Sequence, residues 1–146
     1  MSTTTPQKFI VTGATGGMGK QICLTLAEKA KQAHEKISIS ALASKPGSAL
    51  DSLLNQSQAD LIINASAYTA VDKAESEVEL AFVINAKAPE IMAKYAAKHG
   101  ATFLHYSTDY VFDGEKYGFY LEDDLRNPLG VYGKSKAAGE EAIARE

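Results

Sequence analysis

The sequence predicts an α/β fold in which a doubly wound parallel sheet carries helices on its faces. Two observations lead to this prediction. Short apolar runs of strand length alternate with longer segments whose apolar residues recur at helical spacing. The first apolar run is followed by a glycine-rich loop and a helix, which is how a βαβ unit begins. Because 146 residues make one domain's worth of chain, we expect one domain over residues 8–146 behind a flexible tail at residues 1–7.

The composition is that of a soluble globular protein, with 45% hydrophobic and 23% charged residues. The net charge is −3 and no dense Lys/Arg block occurs, so nucleic acid is not an expected partner. No run approaches the ~20 apolar residues of a membrane span, and the N-terminal MSTTTPQ lacks an apolar signal core. We therefore expect a cytoplasmic protein without a membrane partner. The single cysteine, Cys23, fits a reducing compartment and is expected to be buried in a helix.

The first predicted strand, Lys8–Thr12, leads directly into a glycine-rich loop. The loop is Gly13-Ala14-Thr15-Gly16-Gly17-Met18-Gly19, a G-x-x-G-x-x-G spacing, and a helical pattern follows over Lys20–Lys31. Strand, glycine loop and helix in this order predict a Rossmann-type dinucleotide-binding turn. Its glycines allow the backbone to approach a pyrophosphate, which rests on the helix N-terminus. The alternative interpretation is an ordinary flexible turn.

Lys36–Leu42 alternates and predicts a second strand. Folds that prefer NAD often place an acidic residue after this strand to bind the adenosine ribose. Here Ser44 and Lys45 occupy the region, and a lysine can pair with the 2′-phosphate of NADP(H). This favours NADPH over NADH as cofactor, although Ser-Lys-Pro-Gly is also an ordinary turn sequence. A short helix is predicted over Ala49–Gln56, with no further strand before Leu61.

The next buried strand is predicted over Leu61–Ala65, and its carboxyl end runs into the small residues of Asn64–Ala67. Small side chains at the carboxyl end of a parallel strand leave room for a ligand. Val78–His99 then shows a helical pattern with one interruption near Asn85 and Pro89, and a proline is tolerated in the first turn of a second helical segment. Asn85 is either a brace for the lysine side of a site or a helix cap.

A hydroxyl, a phenol and an amine form the candidate catalytic set. Thr102–Ser107 predicts a fourth strand with Thr108 at its carboxyl end, and after the loop Tyr110–Arg126 a helix is predicted to start near Tyr132. Lys136 is four residues further on, so both side chains point into the same space. A neighbouring cation lowers the pKa of a phenol towards the range useful for proton transfer. The alternative for a lone Tyr-x-x-x-Lys is a solvated surface pair.

No metal site is expected. His34, His99 and His105 lack the spacing of metal ligands, and Asp109 and Asp113 are expected to order the loop instead.

Three long blocks resemble the dTDP-4-dehydrorhamnose reductase family of extended short-chain dehydrogenases/reductases. They are Asn64–Glu77 (NASAYTAVDKAESE), Ser107–Gly114 (STDYVFDG) and Asn127–Glu140 (NPLGVYGKSKAAGE). The resemblance implies a doubly wound NAD(P)-binding sheet followed by a smaller C-terminal substrate domain. It also implies NADPH-dependent reduction of the 4-keto group of dTDP-4-dehydro-L-rhamnose to dTDP-L-rhamnose.

The same resemblance implies roles for individual residues. Tyr132 would donate a proton to the C4 carbonyl oxygen, and Lys136 would bind the nicotinamide ribose and lower the Tyr132 pKa. Thr108 would orient the carbonyl, and Asp109 would contact the sugar. The cofactor would lie along the glycine loop and the residues after two strands: Gly13, Thr15, Gly16, Gly17, Met18, Gly19, Ala65, Ala67, Tyr68, Thr69 and Tyr106. For Tyr68, Tyr106 and Asp109 the alternative is packing or a loop hydrogen bond.

Two departures from the family pattern affect these expectations. Family members are considerably longer, whereas this chain ends at Glu146, so the last strand and the substrate domain are expected to be absent. The segment Ala43–Ala59 is shorter than usual. An open parallel sheet edge and an uncovered apolar helix face would favour self-association, as a homodimer or otherwise.

Two other functions are compatible with the fold. One is a non-catalytic NAD(P)-binding regulatory module, because the β subunit of methionine adenosyltransferase resembles the same family. The intact set of Thr108, Tyr132 and Lys136 argues against it. The other is a nucleotide-sugar epimerase or dehydratase, which keeps NAD bound; the STDYVFDG block and the missing acid after the second strand argue against that.

Overall fold

A parallel sheet is the centre of the fold. The computed structural model describes residues 7–33, 37–42 and 48–146. Within these residues, strands β1 (Gln7–Thr12), β2 (Ile37–Leu42), β3 (Leu61–Asn64) and β4 (Thr102–His105) pair in the order β2-β1-β3-β4, and every pair is parallel. Strand β2 therefore lies on one side of β1, and β3 and β4 lie on the other side. This change of direction is the doubly wound topology. The predicted fold class is confirmed.

Helices connect the strands and also follow the last one. They are α1 (Gly17–Ala33), α2 (Ser48–Ser57), α3 (Val71–Ala74), α4 (Val78–Phe82), a π-helical turn (Val83–Lys87), α5 (Ala88–His99), a 3-10 turn (Asp109–Val111) and α6 (Val131–Ala144). The stretch from Ser48 to Asp60 is described and contains no strand, as predicted. The interruption expected near Asn85 is the π-helical turn, and Pro89 lies in the first turn of α5. Among the described residues, no helix has the length and apolarity to cross a membrane.

The chain divides into two compact units. The sheet unit comprises the described residues up to Ser66 together with Ile91–Tyr106, and the helical unit comprises Ala67–Glu90 and Ser107–Glu146.

In the sheet unit, the central strands are almost completely buried. Ile10 and Val11 of β1 and Ile62 of β3 are at most 1% exposed, and so are Leu54 of α2 and Met92 of α5. Burial on both faces is why these strands are short apolar runs without a polar face.

Cys23 on α1 is half-buried, so the expectation that it is buried is wrong. On α1, Gly19 and Ala30 are buried. The apolar residues of the same helix between them are half-buried or exposed to solvent.

In the helical unit, α6 lies unusually close to two other backbone segments. A Cβ atom added at Gly139 would overlap the carbonyl oxygen of Asn85, and one added at Gly133 would overlap that of Tyr110. The ring of Tyr132 is buried with Ala74 and Ala81. These contacts hold α6 against the π-helical turn and the 3-10 turn.

The loop before α6 is ordered by Asp113, as predicted. Its carboxylate accepts hydrogen bonds from the Glu115 backbone N–H at 3.0 Å, the Asn127 Nδ2 at 3.0 Å and the Tyr120 hydroxyl at 2.9 Å. The Glu115 N–H contributes most, and together these donors lower the pKa of Asp113. Asp124 accepts the Leu121 N–H at 2.7 Å and pairs with a lysine, so it too helps to order this loop.

Candidate active site

The glycine loop of the sheet unit is a compact turn between β1 and α1. Gly13 has a φ of +68°, and a Cβ atom there would lie 2.7 Å from the carbonyl oxygen of Ala65. The Gly16 N–H donates to the Gly13 carbonyl at 2.9 Å, and the Lys20 N–H donates to the Gly16 carbonyl at 2.9 Å. Only glycine fits at Gly13, both because the backbone is left-handed and because β3 ends so close. The loop is therefore fixed against the carboxyl end of β3.

The outer rim of this loop is open. Thr15, Gly16, Gly17 and Met18 are exposed, and a Cβ atom added at Gly17 would meet no heavy atom within 4 Å. The rim begins a helix of 17 residues whose first N–H groups have no partner within the helix. An exposed backbone surface at the start of a long helix suits an anion such as a pyrophosphate. The residues present thus fit the predicted dinucleotide.

A row of polar side chains closes the carboxyl ends of three strands, and sequence reasoning missed it. Thr12, Asn64 and His105 are register partners across β1, β3 and β4. Thr12 and Asn64 are 2% and 1% exposed, and the Thr12 hydroxyl donates to the Asn64 Oδ1. The Asn64 Nδ2 lies 2.9 Å from the His105 Nδ1, and the Ser66 hydroxyl donates to the Asn64 Oδ1 at 2.7 Å. The row fixes the segment after β3 that includes Ala65.

The signal for this row was present in the sequence. Each of the three strands ends in a polar residue, and parallel strands present their carboxyl ends at one edge of a sheet. However, the predicted strands ended at Ala65 and Ser107 instead of Asn64 and His105, so identifying these three residues required the strand register of the structure.

Tyr132 and Lys136 lie one turn apart near the start of α6, as predicted. Tyr132 is 9% exposed and Lys136 is 2% exposed, so neither is a solvated surface residue. Burial lowers the pKa of the Lys136 ammonium, and the nearby carboxylate of Glu140 opposes this effect. A buried lysine with a lowered pKa, one helical turn from a buried tyrosine, is unusual for a residue with only a packing role.

Thr108 belongs to the same unit and caps the 3-10 turn. Its Oγ1 accepts the Tyr110 N–H at 3.3 Å and donates to the Asp109 Oδ1 at 3.1 Å. The ring of Tyr110 meets the ring of Tyr132 edge-on, with 5.3 Å between centroids. The predicted strand over Thr102–Ser107 is too long, because β4 ends at His105 and the next residues lead into the capped turn. Tyr110 is a contact of Tyr132 that sequence reasoning missed.

Asn85 connects the π-helical turn to α6 and is 1% exposed. Its Oδ1 accepts the Tyr68 N–H at 2.8 Å, and its Nδ2 donates to the Tyr68 carbonyl at 3.0 Å and to the Ser135 Oγ at 2.9 Å. The Ser135 hydroxyl donates in turn to the Tyr132 carbonyl at 2.8 Å. Asn85 therefore braces the Tyr68 segment against α6 and does not act only as a helix cap. That this segment is the lysine side of a site stays a prediction.

Tyr68 is held at both its backbone and its hydroxyl. The hydroxyl donates to the Glu77 Oε2 at 2.7 Å, and the other oxygen of Glu77 pairs with Lys73 at 2.8 Å. The hydrogen bond to Glu77 raises the pKa of Tyr68. Ala67 beside it is half-buried and Thr69 is exposed.

Three further residues, Ser44, Lys45 and Tyr106, were predicted to bind the cofactor. Ser44 and Lys45 lie outside the described residues. Tyr106, at the end of the sheet unit, is 39% exposed. Among the described residues, no group of three or more His, Cys, Asp or Glu side chains is arranged to hold a metal ion.

Comparison with known proteins decides the family. The sequence pattern of the RmlD substrate binding domain family matches residues 7–146. The chain belongs to this family.

Relatives of this RmlD-family chain agree with the resemblance predicted from sequence. The dTDP-4-dehydrorhamnose reductase of Aggregatibacter actinomycetemcomitans is 39% identical over 136 residues, which are 93% of this chain and 46% of that protein. The crystal structure of a dTDP-4-dehydrorhamnose reductase from Clostridium acetobutylicum has a TM-score of 0.86 at 34% identity, over 95% of this chain and 49% of that one. The crystal structure of the dTDP-4-dehydrorhamnose reductase from Bacillus anthracis, in complex with NADP, has a TM-score of 0.85 at 32% identity. The match covers 99% of this chain and 51% of that one. The chain spans about half the length of these relatives.

Replacing Asn85 by alanine should destabilise this RmlD-family chain by about 2–4 kcal/mol, because three hydrogen bonds are lost and their partners stay behind. Urea unfolding measures the loss. Asn55→Ala is the control, since Asn55 is exposed and makes a single hydrogen bond to the Asp51 carbonyl. Equal unfolding midpoints for the two variants would show that the brace contributes nothing.

Proposed function

We propose that this chain reduces the 4-keto group of dTDP-4-dehydro-L-rhamnose with NADPH, or forms the cofactor-binding part of such an enzyme. The observation that carries the proposal is the burial of Tyr132 and Lys136 one turn apart on α6, with the Thr108 segment in the same unit. The relatives named as dTDP-4-dehydrorhamnose reductases support the choice of substrate. Loss of the tyrosine or the lysine would have favoured a regulatory module, and both residues are present.

Each catalytic residue has a separate task in this proposal. The Tyr132 hydroxyl gives its proton to the C4 carbonyl oxygen of the sugar. Lys136 binds the nicotinamide ribose, and its ammonium favours the phenolate that Tyr132 becomes. Thr108 orients the carbonyl through its hydroxyl, and Asp109 contacts the sugar. The bound cofactor supplies the hydride.

Cofactor binding is assigned to the glycine loop and the residues after β3. The backbone of Gly13, Gly16, Gly17 and Gly19, with Thr15 and Met18, holds the pyrophosphate at the start of α1. Ala65, Ala67, Tyr68, Thr69 and Tyr106 lie along the rest of the cofactor. Ser44 and Lys45 favour NADPH, with NADH as a second cofactor, and the NADP complex of the Bacillus anthracis relative supports this order.

The setting of the enzyme follows from the same proposal. A nucleotide-sugar is the substrate, and neither nucleic acid nor a membrane is a partner. We place the protein in the cytoplasm because its one cysteine suits a reducing compartment. Large apolar side chains of the helical unit are exposed, among them Phe119 and Leu125 at 91% each, and a homodimer would cover apolar surface of this kind.

The first test is a titration of the purified chain with NADPH and NADH, followed by nicotinamide fluorescence, and then addition of dTDP-4-dehydro-L-rhamnose. We expect saturable binding that is tighter for NADPH, and turnover when the sugar is added. Binding without turnover would assign this chain to cofactor binding alone. If neither cofactor binds, the proposed function is wrong.

Replacing Gly17 by alanine should weaken NADPH binding about tenfold, which corresponds to about 1.4 kcal/mol. The added methyl group enters the open space where a phosphate would approach, yet it touches no protein atom within 4 Å. The free energy of unfolding should therefore stay within about 0.5 kcal/mol of the parent value. The exposed Thr25→Ala on α1 serves as the control. An unchanged dissociation constant would mean that the loop rim does not contact the cofactor.

A further inference from the structure

The carboxylate of Glu140 uses both of its oxygens to join separate parts of the helical unit. Its Oε1 accepts a hydrogen bond from the Ser107 hydroxyl, and its Oε2 pairs with the Arg126 Nη1 at 2.8 Å. The Glu140 and Arg126 side chains are 25% and 34% exposed, so this group lies at the edge of the unit rather than in its core.

The two partners of Glu140 belong to the segments that carry the candidate catalytic residues. Ser107 directly precedes Thr108. Arg126 directly precedes Asn127, whose N–H donates to the Val111 carbonyl at 3.0 Å, so the loop is attached to the 3-10 turn. A single carboxylate thus fastens both the Thr108 segment and the loop to α6.

Glu140 also shares a helix face with two of the three catalytic candidates. Tyr132, Lys136 and Glu140 follow one another at intervals of four residues, which places them on one face of α6. The charge of Glu140 opposes the effect of burial on the pKa of Lys136. Glu140 is therefore joined to the residue before Thr108 by a hydrogen bond, and its charge acts on Lys136.

We propose that Glu140 is a positioning residue, whose carboxylate ties Ser107 and Arg126 to α6 and thereby holds Thr108 in place relative to Tyr132 and Lys136. This role rests on the proposed reductase function, but the tie itself is a property of the free chain. A partly exposed ion pair contributes little to global stability, so its loss should loosen the Thr108 segment without unfolding the protein.

Amide hydrogen exchange of the free chain tests the tie without any substrate. In Glu140→Ala we expect the amides of Tyr110 and Phe112, which bond to Thr108 and Asp109, to exchange about tenfold faster. Glu140→Gln keeps an acceptor for one partner and should give a smaller increase. Glu141→Ala, a change at the exposed neighbouring carboxylate, should leave these amides unchanged.

A double-mutant comparison locates the effect. If Ser107 acts through Glu140, adding Ser107→Ala to Glu140→Ala should cause little further increase in exchange, because the shared hydrogen bond is already lost. Fully additive increases would show that Ser107 and Glu140 act separately, and the tie would be overturned. Unchanged exchange in Glu140→Ala would overturn it as well.

Kinetics separate positioning from a purely structural role. We expect Glu140→Ala to lower kcat about tenfold or more while the NADPH dissociation constant changes less than about threefold. Faster exchange with an unchanged kcat would overturn the positioning role. If the parent chain binds NADPH but does not turn over, it is the cofactor-binding part alone, and the exchange result upholds or overturns the tie. If it binds neither cofactor, the proposed function fails, and the exchange result still decides the tie by itself.

Discussion

Replacing Tyr132 by phenylalanine is expected to lower kcat by about 10²–10⁴-fold, because the variant lacks the proton that general acid catalysis would deliver to the carbonyl oxygen. NADPH affinity should change little, since the ring stays and only the hydroxyl is removed. The ring packs against Ala74 and Ala81 and meets Tyr110 edge-on, contacts that phenylalanine preserves. Steady-state kinetics and a fluorescence titration of the same preparation measure the two quantities.

The control for this variant is Tyr117→Phe. The Tyr117 side chain is completely exposed, so loss of its hydroxyl should affect neither kcat nor cofactor binding. If Tyr132→Phe keeps its full kcat, the phenol is not the proton donor. If it loses NADPH binding in parallel with kcat, its hydroxyl acts in binding rather than in proton transfer.

The second large effect is expected from Gly139→Ala in α6. Alanine is the better helix former by about 1 kcal/mol, so propensity alone predicts stabilisation. The new Cβ atom would however overlap the carbonyl oxygen of Asn85, and a backbone atom cannot yield as a flexible side chain can. We therefore expect a net loss of at least about 1–3 kcal/mol in the free energy of unfolding, as overpacked sites show.

Gly17→Ala is the matched comparison for Gly139→Ala. It is also a glycine-to-alanine change within a helix, but its Cβ atom enters open space. Urea unfolding of the two variants should separate them clearly, with only Gly139→Ala shifted to lower denaturant concentration. A neutral or stabilising effect of Gly139→Ala would mean that α6 can move away from the π-helical turn at little cost.

The sequence was most informative where local chemistry alone determines structure. The β1–loop–α1 unit was predictable because a buried apolar strand, a glycine at a left-handed turn and an apolar helical stripe all occur within residues 7–33. The spacing of Tyr132 and Lys136 predicted their shared helix for the same reason. The end of β4 was predicted two residues too late, because Tyr106 and Ser107 differ little in local pattern from the strand before them.

Features that depend on contacts between distant residues were not predictable. Asn85 could be a brace or a cap until Tyr68 and Ser135, separated from it by 17 and 50 residues, were located beside it. The row of Thr12, Asn64 and His105 required the strand register. No local pattern in the sequence encodes these pairings, because each depends on where the backbone has been placed by the packing of other elements.

In the π-helical turn Val83–Lys87, the number of residues matters for the structure as much as their identity does. Such a turn holds one residue more than the α-helical geometry on either side requires, so it behaves as an insertion retained within a helix. We expect a deletion of Lys87, which is itself exposed, to restore regular geometry and so to change the angular position of Asn85 relative to the start of α5. A substitution of Lys87 would leave that position unchanged. Family members should therefore rarely gain or lose a residue between Ala81 and Pro89. Substitutions at exposed positions of the same segment should be more common.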